Sequence, residues 1–231
     1  MSAPLIPLSP LHPTTFSPFG LVVQNPSTHN NLPAVQATTA NQGTATKHLD
    51  LTNLINAYPT SSPSARVTTN MFVCRPRSLD ASLHSKAILR FGVLERHPFT
   101  PQTFIPLGLA AGDRSTRYLV IVAPTLPEPE SDVRPSPTSP AYPGTGPPDL
   151  ANVRAFVASG DQGVTYGAGT WHAPMVVIGE REVEFVVVQW ANGVGREDCQ
   201  EVYFDEGKEL GVDVEAVLEG GVAAHESKAR L

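Results

Sequence analysis

Cysteine is almost missing from this chain: only Cys74 and Cys199 occur. They form no C-x-x-C pair, so the sequence encodes no zinc knuckle and no dithiol redox centre. Both read as reduced, partly buried thiols of an intracellular protein. Basic charge is scarce as well. Sixteen Lys and Arg against 22 Asp and Glu leave a formal charge of −6. A surface for nucleic acid needs clustered cations to displace counterions, and no basic stripe is present, so that class of partner is excluded. No apolar run approaches the roughly 20 residues of a membrane-spanning helix, which excludes a membrane partner of that kind. Met1-Ser2-Ala3-Pro4 lacks the basic segment that precedes the apolar core of a secretory signal. Asn41–Lys47 does not have the G-x-x-x-x-G-K-[ST] spacing of a phosphate-binding loop, and there is no G-x-S-x-G nucleophile elbow.

Long amphipathic helices are also absent. In their place stand 23 prolines and a series of short β-type segments. Nine prolines between Pro124 and Pro148 leave little room for helix or ladder, so Thr125–Pro148 reads as a solvated loop inserted within one domain. The segments Asn70–Arg75, Ile88–Glu95, Gln102–Pro106, Tyr118–Ala123, Val153–Ala158, Met175–Gly179, Val183–Trp190 and Glu201–Phe204 are rich in Val, Ile and Phe and bounded by Gly and Pro. Many short strands without intervening helices predict a mainly β sandwich or barrel. A few short helical pieces are expected. One is a capped turn over Thr14–Gly20, another is Thr52–Tyr58 after Asp50, and a third is Val212–Glu219. Asn25–Lys47 is polar and poor in aromatics. The expected organisation is a single domain over residues 1–206, with the insertion at 125–148 and a mobile tail at 207–231.

Two motifs carry candidate chemistry. Leu94-Glu95-Arg96-His97-Pro98 and Gly167-Ala168-Gly169-Thr170-Trp171-His172-Ala173-Pro174 each place a histidine near a proline at the end of a predicted strand. Proline stiffens the backbone that holds an imidazole, and neutral imidazole either accepts a proton near pH 7 or ligates a metal. Glu95 and His97 are two residues apart, so on a strand they share a face and Arg96 takes the other. Gln102 begins the next strand and returns toward the same place. Trp171 reads as core or rim. The remaining histidines, His12, His29, His48, His84 and His225, sit in polar segments and read as surface or structural. Arg75, closing the apolar strand after Cys74, and Arg90, inside Ile88–Val93, are candidate carboxylate binders. Solvated arginines at a sheet edge are the equally good plain reading. Lys47, after Gly43-Thr44-Ala45-Thr46, is a further cation.

Taken together these residues resemble the ureidoglycolate lyase family, formerly called ureidoglycolate hydrolase. The resemblance rests on Leu94–Pro98 with Gln102-Thr103-Phe104-Ile105-Pro106. It extends to Val153-Arg154-Ala155-Phe156, Gly160-Asp161-Gln162-Gly163-Val164-Thr165-Tyr166, Thr170–Pro174 and Asp198-Cys199. It spans roughly Leu5 to Phe204, interrupted by the Pro-rich insertion. It implies a cupin-like double-stranded β-barrel, usually a homodimer, that releases urea from (S)-ureidoglycolate to give glyoxylate in purine and allantoin catabolism. Such an enzyme is a carbon–nitrogen lyase of the amidine-lyase type. The implied catalytic residues are His97, His172 and Glu95. The substrate-binding candidates are Arg75, Lys47, Arg90, Gln102, Tyr166 and Trp171.

A metal-binding cupin uses H-x-H-x(3,4)-E and a later histidine. Here Glu95, His97, Gln102 and His172 stand at those positions, so either no cofactor or a divalent metal ion on these four residues is compatible with the pattern. Two other functions are compatible with the same barrel: a non-catalytic cupin that binds a small carboxylate, and a metal-dependent oxygenase or isomerase. Ala229-Arg230-Leu231 resembles a peroxisomal S-K-L address, which implies a peroxisomal import receptor as a partner; otherwise a cytoplasmic location is expected.

Overall fold

The computed structural model describes residues 5–28, 35–80, 87–127, 146–205 and 209–219. Two antiparallel-dominated sheets face each other in a cupin-like β architecture. The larger runs in the order Leu8–Pro10, Arg154–Ala158, Thr116–Ala123, Trp171–His172, Val93–Arg96 and Gln200–Tyr203, with Val176–Gly179 also paired to Thr116–Ala123. The second sheet has the order Gly20–Val23, Gly163–Tyr166, Gln102–Leu107, Val183–Ala191 and Arg66–Cys74.

Side-chain alternation along the strands builds two cores. Tyr118, Val120 and Val122 of the central strand point inward with Phe156, against Phe104, Val164, Phe185 and Val187 of the facing sheet. Phe104 packs edge-on against Tyr166 and Phe185 at centroid distances of 5.9 and 6.0 Å. Leu119, Ile121 and Ala123 of the same central strand point the other way. They are covered by a two-stranded ribbon, Ile88–Phe91 paired with Leu210–Asp213. The Thr116–Ala123 strand is therefore apolar on both faces because it is covered on both faces.

Several expectations need correction. Ile88–Glu95 is two strands, not one. Gly92 separates them, the first half joining the outer ribbon and the second the large sheet. Thr52–Tyr58 is not helical. Its polar groups are spent on the barrel instead: Thr52 Oγ1 lies 2.7 Å from Thr165 Oγ1, the Leu54 carbonyl accepts from Trp190 Nε1, and the Ala57 N–H donates to the Phe99 carbonyl. Val212–Glu219 begins as a strand, because Val212 and Val214 are buried in the outer core, and only Glu215–Glu219 is helix. A tail beginning at residue 207 therefore starts too early. The N-terminal helical turn is present over Pro13–Phe16, capped by His12 Nδ1 accepting from the Thr14 N–H rather than by a threonine. The polar stretch read in Asn25–Lys47 contains a hairpin, Ala37–Ala40 with Ala45–His48. Most of the Pro-rich insertion lies outside the described residues, as do the last twelve residues with Ala229-Arg230-Leu231. The base of the insertion is paired all the same, with Leu126 N–H donating to the Pro147 carbonyl and Asp149 N–H to the Pro124 carbonyl. Among the described residues no helix is long and apolar enough to cross a membrane.

Candidate active site

The two histidine motifs meet at one end of the barrel. His172 lies directly opposite Glu95 in the antiparallel pairing of Trp171–His172 with Val93–Arg96, so the two side chains share the inward face. The turn that follows Val93–Arg96 carries His97, whose carbonyl accepts a hydrogen bond from the Gly169 N–H at 2.7 Å. Gly169 has φ +76°, a left-handed conformation that glycine adopts without strain. The same turn is pinned to the N-terminal segment, since Gly167 N–H and Thr170 Oγ1 both donate to the Phe19 carbonyl.

The imidazole centroids of His97 and His172 are 5.6 Å apart. Both rings are buried, at 6% and 1% exposure. The Tyr166 ring lies parallel beneath His172 at 3.9 Å and fixes its plane. Each ring has one nitrogen committed to a backbone carbonyl. His97 Nδ1 is 2.6 Å from the Asp198 carbonyl, and His172 Nδ1 is 2.9 Å from that of Thr170. A carbonyl only accepts, so both rings carry a proton on Nδ1 and turn Nε2 toward each other's surroundings.

Those surroundings differ. His172 Nε2 faces oxygen acceptors, Gln102 Oε1 at 3.2 Å and Glu95 Oε1 at 3.5 Å. The Gln102 amide is held in that orientation because its Nε2 donates to Gln189 Oε1 at 2.7 Å. His97 Nε2 is buried and has no hydrogen-bond partner. Burial, followed by the neighbouring His172, pulls the pKa of His97 from 6.5 down to about 4, against the pull of the Asp198 carbonyl, Glu95 and Gln102. Burial alone would raise the Glu95 carboxyl, but the hydrogen bond and charge of His172, with smaller help from His97 and Cys199, hold it below its ordinary value. The Cys199 thiol, 3.9 Å from Glu95 Oε2, is pushed up to about 12 by burial and by Glu95, so it stays protonated and donates.

Glu95, His97 and His172 each present one ligand atom within 4.8 Å of the others. Two imidazole nitrogens and a carboxylate oxygen suit a divalent cation, and an unpartnered buried Nε2 on His97 is the kind of atom such an ion satisfies. Gln102 Oε1 stands beside His172 as a fourth oxygen.

The structure brings Glu95, His97, Gln102, Tyr166 and His172 together and places the other sequence candidates elsewhere. Arg96 and Trp171 lie on the outward side of the large sheet. The guanidinium stacks 4.4 Å over the indole, and both donate to the Gly146 carbonyl. Arg75 is exposed beside Glu182, at the end of its strand away from Gln189. Arg90 pairs with Asp80 on the outer ribbon at 2.9 Å. Lys47 is exposed on the Ala37–His48 hairpin. A surface depression of about 500 Å³ is lined by Trp171, Arg196, Cys199 and Glu201, and one of about 380 Å³ by Phe19, Arg154 and Thr170; the residues of the cluster line neither. Gln189 and the carbonyls of Thr170 and Asp198 were not singled out from the sequence. Only Gln189 left a trace there, as a polar residue interrupting an apolar strand.

A family model described as ureidoglycolate lyase matches residues 3–211. A ureidoglycolate lyase of Schizosaccharomyces pombe is 38% identical over 202 residues, 87% of this chain and 92% of the relative. A ureidoglycolate lyase of Saccharomyces cerevisiae is 34% identical over 182 residues, covering 73% and 78% of the two chains. One from Pseudomonas syringae is 31% identical over 206 residues, covering 89% and 94%.

Proposed function

This chain belongs to the ureidoglycolate lyase family, and from that premise we propose that its paired histidines release urea from ureidoglycolate to leave glyoxylate. The observation that carries the reading is the opposite setting of the two Nε2 atoms, one bare and one facing acceptors. Ureidoglycolate is a carbinolamide: one carbon bears a hydroxyl, a carboxylate and the urea nitrogen. Elimination moves the hydroxyl proton to a base, forms the carbonyl and sends the C–N bonding pair to nitrogen, which takes a proton and departs as urea.

His97 supplies the base, because burial keeps its Nε2 lone pair unprotonated through neutral pH. His172 supplies the acid. Its Nε2 faces the Glu95 and Gln102 oxygens while Nδ1 is held by the Thr170 carbonyl, so a proton on Nε2 has acceptors to share it until the leaving nitrogen takes it. The substrate carboxylate brings negative charge beside His97 and raises its affinity for the incoming proton. Burial of the cluster strengthens each of these interactions relative to water. Glu95, His97, His172 and Gln102 are also the residues that would hold a divalent ion, which when bound would polarise the substrate hydroxyl.

The test is a coupled assay of urea release from ureidoglycolate by the purified protein, with and without prior chelation. Equal turnover after chelation assigns the reaction to the acid–base pair alone, and absence of turnover in both arms, with divalent metal restored, refutes the lyase reading.

The proposal extends to a homodimer and to a peroxisomal address. The outward face of the five-stranded sheet supports the first. Leu21, Val67, Met71, Val73, Ile105 and Leu107 are 38–51% exposed there. Exposed apolar side chains gathered on one sheet face are the kind of surface that a partner covers. The address in Ala229-Arg230-Leu231 is tested with a reporter carrying residues 220–231, which should collect in peroxisomes; a diffuse signal refutes it.

A further inference from the structure

Outside the reacting cluster, one carboxylate gathers three donors and sits one peptide away from the histidine base. The chain leaves strand Val183–Ala191, turns through residues 192–194 and forms the short helix Gly195–Asp198. Asp198 Oδ1 accepts from the Asn192 N–H at 2.9 Å and from the Tyr58 hydroxyl at 2.6 Å, and Oδ2 accepts from the Gly193 N–H at 2.7 Å. Tyr58 is anchored on the other side as well. Its ring packs on Phe99 at 5.5 Å, its hydroxyl reaches the Trp190 carbonyl at 3.3 Å, and the preceding Ala57 N–H donates to the Phe99 carbonyl at 3.0 Å. Phe99 lies two residues beyond His97. Tyr58 thus ties the turn that carries His97 to the loop that carries Asp198.

The backbone carbonyl of that same Asp198 receives the Nδ1 proton of His97. A carboxylate holding three donors fixes its own peptide plane, and the plane sets where the carbonyl points. We infer that Tyr58 and Asp198 are positioning residues for His97: together they hold the Asp198 carbonyl on Nδ1, keep that nitrogen protonated, and leave Nε2 bare. Without them the carbonyl drifts and the imidazole admits its other tautomer, which offers the substrate hydroxyl a donor where the reaction needs an acceptor. Neither side chain touches the inward cluster, and Asp198 reaches it only through its backbone carbonyl, so the effect falls on kcat and leaves KM nearly unchanged. The inference rests on the proposed acid–base role of His97.

The test uses full-length protein with ¹⁵N-labelled histidine. In wild type the His97 Nδ1 signal should be of the protonated type and Nε2 of the bare type. Tyr58→Phe, which removes one oxygen atom, should lower kcat about 10-fold, and Asp198→Ala about 100-fold, with KM within twofold. Both variants should move the two His97 signals toward each other as the tautomers mix. Asp198→Asn, which keeps an acceptor at Oδ1, should recover most of the loss. Unchanged His97 signals and unchanged kcat in Tyr58→Phe and Asp198→Ala would overturn the inference. Should Asp198→Ala fail to fold, Tyr58→Phe still decides. If wild type releases no urea, the proposed function falls, while the ¹⁵N spectra of the variants still decide whether Tyr58 and Asp198 hold the tautomer.

Discussion

Acid should destabilise this protein through His97 in a window that its burial defines. The ordinary imidazole value is 6.5, and in the folded chain burial and His172 bring it to about 4. Between those values the unfolded chain binds a proton at this position and the folded chain does not. Stability contributed by the neutral ring is therefore intact above pH 6.5 and is lost as pH falls toward 4. The difference corresponds to about 3 kcal/mol, with a slope near 1.4 kcal/mol per pH unit in the middle of the window. That is a sizeable share of the roughly 5–15 kcal/mol that holds a typical domain folded. The comparison is wild type against His97→Asn, whose amide still donates to the Asp198 carbonyl but does not titrate. Guanidinium unfolding of both chelator-treated proteins at several pH values from 7.5 to 4 gives the two curves. Their difference should fall by about 3 kcal/mol toward pH 4. Glu95 does not mimic this signal, because its carboxyl lies below its ordinary value and its stabilisation is lost only in stronger acid, as pH falls below the ordinary carboxylate range. A difference that stays flat from pH 7.5 to 5 would show that the folded ring titrates normally and would refute the base assignment built on it.

Three further outcomes are expected. His97→Ala and His172→Ala should each cut kcat for urea release by about 10² to 10⁴, and the double variant should be no worse than the poorer single, because base and acid act as one unit; fully additive losses would separate them. Phe104→Ala should cost about 3–5 kcal/mol in thermal or denaturant unfolding, since its ring is 1% exposed and packs on Phe72, Tyr166 and Phe185; a loss under 1 kcal/mol would mean that the barrel core closes over the gap. On the proposed dimer, wild type should have a dimer mass in light scattering and Met71→Glu a monomer mass without loss of fold; a monomeric wild type would refute the dimer, and a dimeric Met71→Glu its placement on the five-stranded sheet.

How far the fold is legible in the sequence depends on which force placed each element. Segments whose apolar residues face a core were readable, as Val183-Glu184-Phe185-Val186-Val187 shows by its alternation and Tyr118–Ala123 by its unbroken apolar run. Segments placed by polar contacts were not. Thr52–Tyr58 has helix-compatible residues, yet its hydrogen bonds go to Thr165, Trp190, Phe99 and Asp198, partners more than 40 residues distant. Glu95, His97, Gln102 and His172 were legible as one cluster because the strand ending at Arg96, the turn after it and the strand beginning at Gln102 return to the same place. The guanidinium candidates misled for a physical reason. Arginine at a strand end is as readily a surface ion pair, and Arg75 with Glu182 and Arg90 with Asp80 are that.

The opposite tasks proposed for two identical side chains need an asymmetry that their sequence context does not announce, since each simply sits near a proline. In the fold the asymmetry comes from the large sheet and its edge. His172 lies within the sheet, opposite Glu95, so a carboxylate is delivered to its Nε2 by strand register alone. His97 has left the strand and entered a turn, where the cross-strand position is lost and its Nε2 meets no partner. Moving the histidine two residues back, into the strand, would remove this difference. With His at position 95 the ring would stand opposite His172, and the carboxylate beside His172 Nε2 would be gone. On the proposed mechanism, the two-residue step from Glu95 to His97 is therefore the part of the motif that would divide the pair into base and acid, and the carbonyls of Asp198 and Thr170 fix which nitrogen each ring presents.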